Sequence, residues 1–292
     1  MINNNSSHFY DVLGSKMHVQ DSGSGRPLLF LHGNPSNSYL WRNIAPQVQD
    51  MGRVIVPDLI GMGKSDKPDI QYTFFDHYRY VEALIEQLEL KDVILILHDW
   101  GSALGFNYFA NHSDNVAGIA FMEGIIQDVS TFFPLETLEF FKGLRTPDGH
   151  TKVVVKDLFM QTVLPSWVDR PLSDDELAAY REPFATEASR EVIYKWICSV
   201  PLEGQPSEVA NVVENYRNAL KESKIPKLFF HADPGAFMPP VVADWIIENI
   251  PNLKAVDVGK GSHFIQEDHP ELIGNSIRQW LLTQKFTELD QE

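Results

Sequence analysis

The chain has 292 residues, of which 43% are hydrophobic and 11% aromatic, enough for a sizeable core in one large domain or in a core domain with an insertion. Its formal net charge of −16 at pH 7 argues against nucleic acid or an anionic membrane as a partner, because both attract positive charge. Cys198 is the single cysteine, so no disulfide can form within the chain.

The amino-terminal residues MINNNSSHF are polar and lack the basic segment and following apolar stretch that mark a signal peptide. No apolar run approaches the ~18 residues that a membrane span requires. These features predict a soluble, cytoplasmic protein. They carry no information on its oligomeric state.

Six short apolar runs predict β-strands, and amphipathic stretches separate them. Continuous apolar runs that end at turn signals are typical of strands buried on both faces of a parallel sheet. In residues 74–88, Tyr78, Val81 and Ile85 recur at helical spacing. The alternation predicts an α/β fold with a mostly parallel sheet. The predicted strands are PLLFLH (27–32), RVIVPD (53–58), DVILILH (92–98), VAGIAFME (116–123), KLFFHAD (227–233) and LKAVDVG (253–259).

The alternation of strands and helices stops between residues 127 and 212. This segment is rich in aromatic residues and proline, and it shows helical periods without a clear strand. It predicts a helical insertion between two strands of the sheet. We therefore expect a core domain formed by residues 1–126 and 213–292 and a helical cap domain formed by residues 127–212.

Polar side chains follow the carboxyl ends of the predicted strands, where open parallel sheets bind their ligands. HGNP (32–35) follows the first strand, DLIGMGKS (58–65) the second and HDWGS (98–102) the third. Glu123 follows the fourth strand, and His263 lies in the loop after the last one. We expect these side chains to meet at one edge of the sheet.

The motif HDWGS predicts a sharp strand-to-helix turn with Asp99 at its tip. In α/β-hydrolases such a nucleophile elbow, usually G-x-S-x-G, presents its central side chain at the top of the sheet. Here Gly101 supplies the second small residue, and Leu97 departs from the first. With Glu123 and His263, the chain order is nucleophile, acid, base, as that fold requires.

Over nearly its whole length, insertion included, the chain resembles the haloalkane dehalogenases of the α/β-hydrolase fold. Marine imidazopyrazinone luciferases of the Renilla type are similar at the same positions. The resemblance implies hydrolysis of a small apolar halogenated substrate to an alcohol, a halide ion and a proton, without a metal or cofactor. The motifs that carry the resemblance are HGNP, DLIGMGKS, HDWGSALGF, FMEG, REPF and GSHFIQED.

The residue types suit this chemistry. An exposed Asp99 can attack an sp³ carbon and form an alkyl ester, which His263 would hydrolyse as a general base oriented by Glu123. The departing halide needs neutral N–H donors, and the indole of Trp100 and the amide of Asn34 are such donors. In the resembled family the residues at these two positions hold the halide, and their backbone N–H groups would form the oxyanion hole.

The resemblance also implies that four residues of the insertion line an apolar substrate pocket. These residues are Phe159, Trp196, Ile197 and Val200. Aromatic residues at helical spacing equally suit an ordinary hydrophobic core, so both interpretations stay open at this point.

Alternatives stay open for the acid and the base. Asp233 also follows a predicted strand, at a point where many α/β-hydrolases carry their acid. His32, His98 and His231 compete with His263 for the role of base, although a sharp turn at Asp99 should direct His98 away from it.

Other site types fit the sequence less well. The run from His263 to His269 matches no standard metal-ligand spacing. GMGKS resembles the end of a P-loop, but position 58, where the first glycine of that motif would fall, is Asp58.

Other functions of the same fold also stay open. Epoxide hydrolases share the Asp-Trp turn and normally use two cap tyrosines, for which Tyr180 and Tyr194 are candidates. A cofactor-independent luciferase-like oxygenase would share the five key residues of the site. A hormone-binding, non-enzymatic member of the fold would not need an intact triad.

Overall fold

The computed structural model describes residues 6–284 and 286. Its centre is an eight-stranded sheet in the order β1-β2-β4-β3-β5-β6-β7-β8. The six strands from β4 to β8 in that order are parallel to one another. Strand β2 pairs antiparallel with β4 on one side and with β1 on the other. The prediction of a mostly parallel α/β fold is confirmed. The strands are β1 (Ser7–Val12), β2 (Ser15–Ser22), β3 (Pro27–Leu31), β4 (Arg53–Pro57), β5 (Val93–Asp99), β6 (Val116–Gly124), β7 (Lys227–Pro234) and β8 (Leu253–Gly261).

The central strands are apolar because helices cover both faces of the sheet. Every residue of β3 and β5 is buried, and both strands begin within one residue of the predicted position. The hairpin of β1 and β2 was not predicted. It lies at the edge of the sheet, and Phe9 on β1 is 54% exposed, so its residues do not form a continuous apolar run.

Helices occupy most of the connections between strands. Helix α1 begins at Thr73, whose hydroxyl accepts the Asp76 N–H while the Asp76 carboxylate accepts the Thr73 N–H, a capping box that fixes the first turn. No helix in the described part of the chain is long and apolar enough to cross a membrane. The α-helices are α1 (Phe74–Gln87), α2 (Trp100–Asn111), α3 (Leu135–Leu144), α4 (Pro147–His150), α5 (Leu164–Ser166), α6 (Asp174–Arg181), α7 (Glu187–Ser199), α8 (Ser207–Glu222), α9 (Pro240–Asn249), α10 (Ile265–Asp268) and α11 (Pro270–Thr283).

The connection between β6 and β7 holds helices α3 to α8. The predicted domain boundary at residue 212 falls inside α8, whose Tyr216 packs on Phe106 of α2 with ring centroids 5.5 Å apart. The division into core and cap domains stays a prediction. Residues 1–5, 285 and 287–292 of the predicted core domain, which include the start of MINNNSSHF, lie outside the described residues.

A buried carboxylate joins the insertion to the sheet-bearing part of the chain. Glu267, on α10, accepts hydrogen bonds from Arg42 (2.5 and 2.8 Å), from Arg170 (2.6 Å) and from the Tyr180 hydroxyl (2.5 Å). Both arginines also bind Glu176 on α6. Two positive and two negative charges thus balance at the junction, which is what a buried ionic group requires.

Candidate active site

The turn between β5 and α2 holds Asp99 in a conformation that few residues other than glycine adopt. Its backbone angles are φ 50° and ψ −127°, and such strain persists only where the surroundings fix it. The Ser102 hydroxyl donates to the Asp99 carbonyl (2.5 Å) and accepts the Ile125 N–H (3.0 Å). These bonds connect the turn to Ile125, the residue that directly follows strand β6.

The loop HGNP packs directly against this turn. A Cβ atom on Gly33 would lie 2.2 Å from Asp99 Oδ2, and one on Gly101 would lie 2.3 Å from the Leu31 carbonyl oxygen. Both positions therefore require glycine because backbone and side chain approach closely there. The contact brings the backbone of Asn34 to the Asp99 carboxylate.

The Asp99 carboxylate is buried and hydrogen-bonded on one side. The Asn34 N–H donates to Oδ2 at 2.6 Å, and the Trp100 N–H also donates to the carboxylate. Burial raises the pKa of Asp99 to about 7, against these two hydrogen bonds, which favour the charged form. Both N–H groups thus stabilise negative charge on this carboxylate.

His263 lies between two carboxylates. Its Nδ1 is 3.4 Å from Glu123 Oε2, and its Nε2 is 3.7 Å from Asp99 Oδ1. Burial lowers the pKa of His263 to about 3, so the ring is neutral at pH 7 and able to accept a proton. Burial raises the pKa of Glu123 to about 7, although the N–H groups of Ala236 and Phe237 donate to its Oε2 at 2.9 Å each.

Two other histidines near the turn support the backbone. His32 Nδ1 lies 2.9 Å from the Gly33 carbonyl oxygen, and its Nε2 accepts the Leu59 N–H at 3.0 Å. His98 Nε2 lies 2.9 Å from the carbonyl oxygen of His263. Both nitrogens of His32 thus have partners, whereas His98 Nδ1 has none among the described residues. The His98 ring packs on His263 with centroids 4.5 Å apart.

A small cavity opens beside Asp99. The Asn34 amide and Trp100 contribute to its wall, and one N–H of that amide faces the Ile193 carbonyl at 3.4 Å, which leaves the second N–H available to a ligand. The rest of the wall is aromatic or aliphatic, as expected for an apolar ligand. The residues of this apolar wall are Phe141, Phe159, Trp167, Ile197, Val200 and Phe237.

Comparison with known proteins identifies the family. The sequence profile described as alpha/beta hydrolase fold matches residues 26–270. The chain is 44% identical to a haloalkane dehalogenase of Mesorhizobium japonicum over 275 residues, which cover 92% of this chain and 89% of that protein. The chain belongs to the haloalkane dehalogenase family.

Other members of the haloalkane dehalogenase family match equally widely. A haloalkane dehalogenase of Sphingobium indicum is 44% identical over 92% of this chain and 93% of its own length. The crystal structure of haloalkane dehalogenase DbeA from Bradyrhizobium elkani superposes with a TM-score of 0.91 at 41% identity, covering 95% of this chain and 97% of that one. That of DatA from Agrobacterium tumefaciens gives 0.90 at 35% identity, with coverages of 95% and 97%.

Of the four residues predicted to line the substrate pocket, three line the cavity of this haloalkane dehalogenase family member and Trp196 does not. Phe159, Ile197 and Val200 line the cavity. Trp196 is not among the lining residues, and its ring stacks on Trp100 with centroids 4.5 Å apart. It precedes Ile197 on α7 by one position, a rotation of about 100° around the helix axis.

Sequence reasoning missed three residues of the wall, Phe141, Trp167 and Phe237. The rings of Trp167 and Phe237 pack on His263 with centroids 5.0 and 5.2 Å from it. Phe237 carried a local signal, because it lies in the loop after β7 near the candidate acid Asp233. Phe141 and Trp167 had no signal that distinguished them from other aromatic residues of the insertion.

The two tyrosines that an epoxide hydrolase would need are engaged elsewhere. The Tyr180 hydroxyl donates to Glu267 at 2.5 Å, and the Tyr194 hydroxyl faces the Arg145 carbonyl at 3.5 Å. Neither residue lines the cavity beside Asp99. Neither hydroxyl is therefore placed to donate a proton to the oxygen of an epoxide bound beside Asp99.

The motifs that resemble metal and phosphate sites have structural roles. No group of three or more His, Cys, Asp or Glu side chains suited to a metal ion occurs within residues 6–284 and 286. Asp58, in the P-loop-like segment, accepts the N–H groups of Ser38 (2.7 Å) and Lys64 (2.8 Å) and lies 2.8 Å from His18 Nδ1. Its carboxylate organises the DLIGMGKS loop from within.

The two candidate acids differ sharply in environment. Glu123 is fully buried beside His263, whereas Asp233, near the end of β7, is exposed. We expect Glu123→Gln to lower turnover on the order of 10³-fold or more, as when the acid of a triad is neutralised. Asp233→Asn, the matched control, should retain the parent rate. Steady-state halide release measures both, and the opposite ranking would move the acid to β7.

Proposed function

We propose that this chain hydrolyses haloalkanes to an alcohol, a halide ion and a proton, with Asp99 as nucleophile. The observation that carries the proposal is an aspartate, in place of the usual serine, at the nucleophile elbow, beside an indole and an amide donor on an apolar cavity. A carboxylate there forms an ester with an alkyl carbon. The similarity to haloalkane dehalogenases supports the same reaction.

In the first step, Asp99 Oδ1 attacks the carbon that bears the halogen. Oδ2 is held by the Asn34 N–H at 2.6 Å, so Oδ1 is the oxygen that forms the new C–O bond. The carbon–halogen bond breaks, and its electron pair leaves with the halide. The Trp100 indole N–H and the Asn34 amide N–H donate to the halide as its charge develops.

In the second step, water cleaves the ester. His263 Nε2 removes a proton from water, and the resulting hydroxide attacks the ester carbonyl carbon. The oxyanion that forms at Oδ2 is stabilised by the N–H groups of Asn34 and Trp100. When the tetrahedral intermediate collapses, the bond between the acyl carbon and the alkoxy oxygen breaks. The alkoxide takes the proton of the added hydroxyl and leaves as the alcohol, which restores the Asp99 carboxylate. Glu123, 3.4 Å from Nδ1, stabilises the imidazolium until its proton reaches solvent.

The decisive assay measures halide and proton release from 1-bromobutane and 1,2-dibromoethane, extended to chloro- and iodoalkanes for halogen and chain-length preference. Diol formation from styrene oxide and light from coelenterazine are measured beside it. We expect equal amounts of halide and proton, because one water is consumed for each halide. Diol or light without halide release would overturn the proposal in favour of the epoxide hydrolase or the luciferase-like oxygenase.

The proposed halide site makes a separate prediction. Trp100→Leu and Asn34→Ala each remove one neutral donor while keeping the backbone N–H groups. Each should slow halide displacement on the order of 10²-fold, the loss seen for single oxyanion donors. Bromide should also inhibit each variant more weakly as a product. Unchanged bromide inhibition in both variants would place the leaving group elsewhere.

We further propose that residues 127–212 act as a cap that selects the substrate, because they supply Phe141, Phe159, Trp167, Ile197 and Val200 to the cavity wall. The cytoplasmic location stays a prediction. So does the absence of nucleic acid, membrane and cofactor as partners.

A further inference from the structure

Three buried aromatic rings form a column behind the proposed halide site. The Trp196 ring lies between His77 (centroids 4.1 Å apart, planes at 23°) and Trp100 (4.5 Å, 28°). His77 is on α1, Trp196 on α7 and Trp100 on α2. A ring from the insertion is therefore inserted between two rings of the sheet-bearing part of the chain.

Stacking is what holds His77, at one end of this column, and Trp196, at its centre. All three rings are at most 2% exposed. Both ring nitrogens of His77 and Nε1 of Trp196 are buried without a hydrogen-bond partner among the described residues. Since no hydrogen bond fixes these rings, their orientation depends on stacking, an arrangement that aromatic pairs favour when the rings are offset.

We infer that Trp196 is a positioning residue for halide displacement: backed by His77, its ring fixes the Trp100 indole in the orientation that donates to the leaving halide. The inference rests on the proposed function. It assigns Trp196 a role distinct from that of the lining residue Ile197, its neighbour on α7.

The physical reason lies in how a donor stabilises a transition state. An N–H group lowers the barrier only if it already points to where the charge develops, and a donor that must first reorient loses that advantage. Phe74 also approaches Trp100, but at 6.2 Å and with planes tilted by 48°. Removing the Trp196 ring therefore frees one whole face of the indole.

The role predicts a selective defect. Trp100 donates to the halide through its side chain, whereas ester hydrolysis uses its backbone N–H. Loss of the stack should slow displacement and weaken halide binding by roughly tenfold, the order of magnitude of a well-packed aromatic pair. Hydrolysis of the alkyl ester should keep its rate.

The experiment isolates displacement in a His263→Phe background, in which the ester on Asp99 is not hydrolysed. Intact-protein mass spectrometry follows the formation of this ester from 1-bromobutane, first in the parent background and then after Trp196→Leu, Trp196→Phe, His77→Leu and His77→Phe.

Trp280→Leu is the matched control, because Trp280 is as buried as Trp196 and its Nε1 also lacks a hydrogen-bond partner among the described residues. Trp280 packs near Gly118, at the amino-terminal end of β6, away from the site. Bromide inhibition is measured with His263 intact.

We expect Trp196→Leu to slow ester formation and weaken bromide inhibition about tenfold, with a smaller effect of His77→Leu. Trp196→Phe and His77→Phe should retain much of the parent rate and bromide inhibition, and Trp280→Leu should change neither quantity.

The inference would be overturned if Trp196→Leu had no effect, or if Trp280→Leu had an equal effect. If Trp196→Leu does not fold, the comparison of His77→Leu with His77→Phe tests the inference. The leucine variant should then be slower than the phenylalanine variant, and equal rates at the parent level would overturn the inference. Failure of the His263→Phe background itself to form any ester would instead overturn the proposed function.

Discussion

Replacing Asp99 with asparagine is expected to leave a folded protein whose turnover has fallen by several orders of magnitude. An amide of the same shape can still accept the Asn34 N–H that holds Oδ2 at 2.6 Å. It is not a nucleophile toward an alkyl carbon, because it carries no negative charge. Halide release from 1-bromobutane measures the loss, with Asp233→Asn as the control for removing an acidic side chain.

The same substitution should stabilise the fold at alkaline pH. Burial raises the folded-state pKa of Asp99 to about 7, above the ~3.9 of an unfolded aspartate. Unfolding therefore releases a proton between these values, and stability falls as the pH rises through that window. Asp99→Asn removes this penalty, so its Tm at pH 8 should exceed that of the parent. Full turnover in protein shown by mass spectrometry to be free of deamidation would exclude Asp99 as the nucleophile.

Replacing His263 with phenylalanine should separate the two chemical steps. Halide leaves as an anion and needs no proton, so attack by Asp99 does not require His263. Hydrolysis of the ester does require a base. We therefore expect about one equivalent of halide for each active site, after which the reaction stops.

Mass spectrometry should show the added alkyl group on the intact protein, and peptide mapping should place it on Asp99. The rate of this single alkylation should rise as the pH increases through about 7, because burial sets the Asp99 pKa there and the ionised form is the nucleophile. His231, half-buried beside Phe229 on β7, offers a matched control as His231→Phe, which should turn over continuously. Continuous turnover by His263→Phe would point to His98 or His32 as the base.

The central strands could be predicted from the sequence and the edge hairpin could not, and both outcomes follow from how far each strand is buried. Strands such as β3 and β5 are buried on both faces, so they form uninterrupted apolar runs with sharp ends. The edge hairpin of β1 and β2 is half exposed, and its polar residues give no such run. The domain boundary predicted at residue 212 lies inside α8, and the division into core and cap domains stays a prediction.

The candidate site also contains residues that could be predicted from the sequence and residues that could not. Asp99, Glu123 and His263 were predicted because each follows a strand, and the ends of parallel strands meet at one edge. The placement of Trp196 was not predictable, since a helix in the insertion offers no sequence signal for which face meets the cavity. Trp167 reaches His263 only through the packing of the insertion.

The cavity wall is formed by two parts of the chain, and this division has a consequence for how substrate preference can change in evolution. The proposed catalytic residues come from the ends of β5 and β6 and from the loop after β8. Most of the apolar wall comes from one continuous stretch between β6 and β7. Mutations or exchanges confined to that stretch would alter which molecules enter while leaving the reacting atoms in place. Selection for another substrate can thus act on a single region of the coding sequence while the proposed chemistry stays the same.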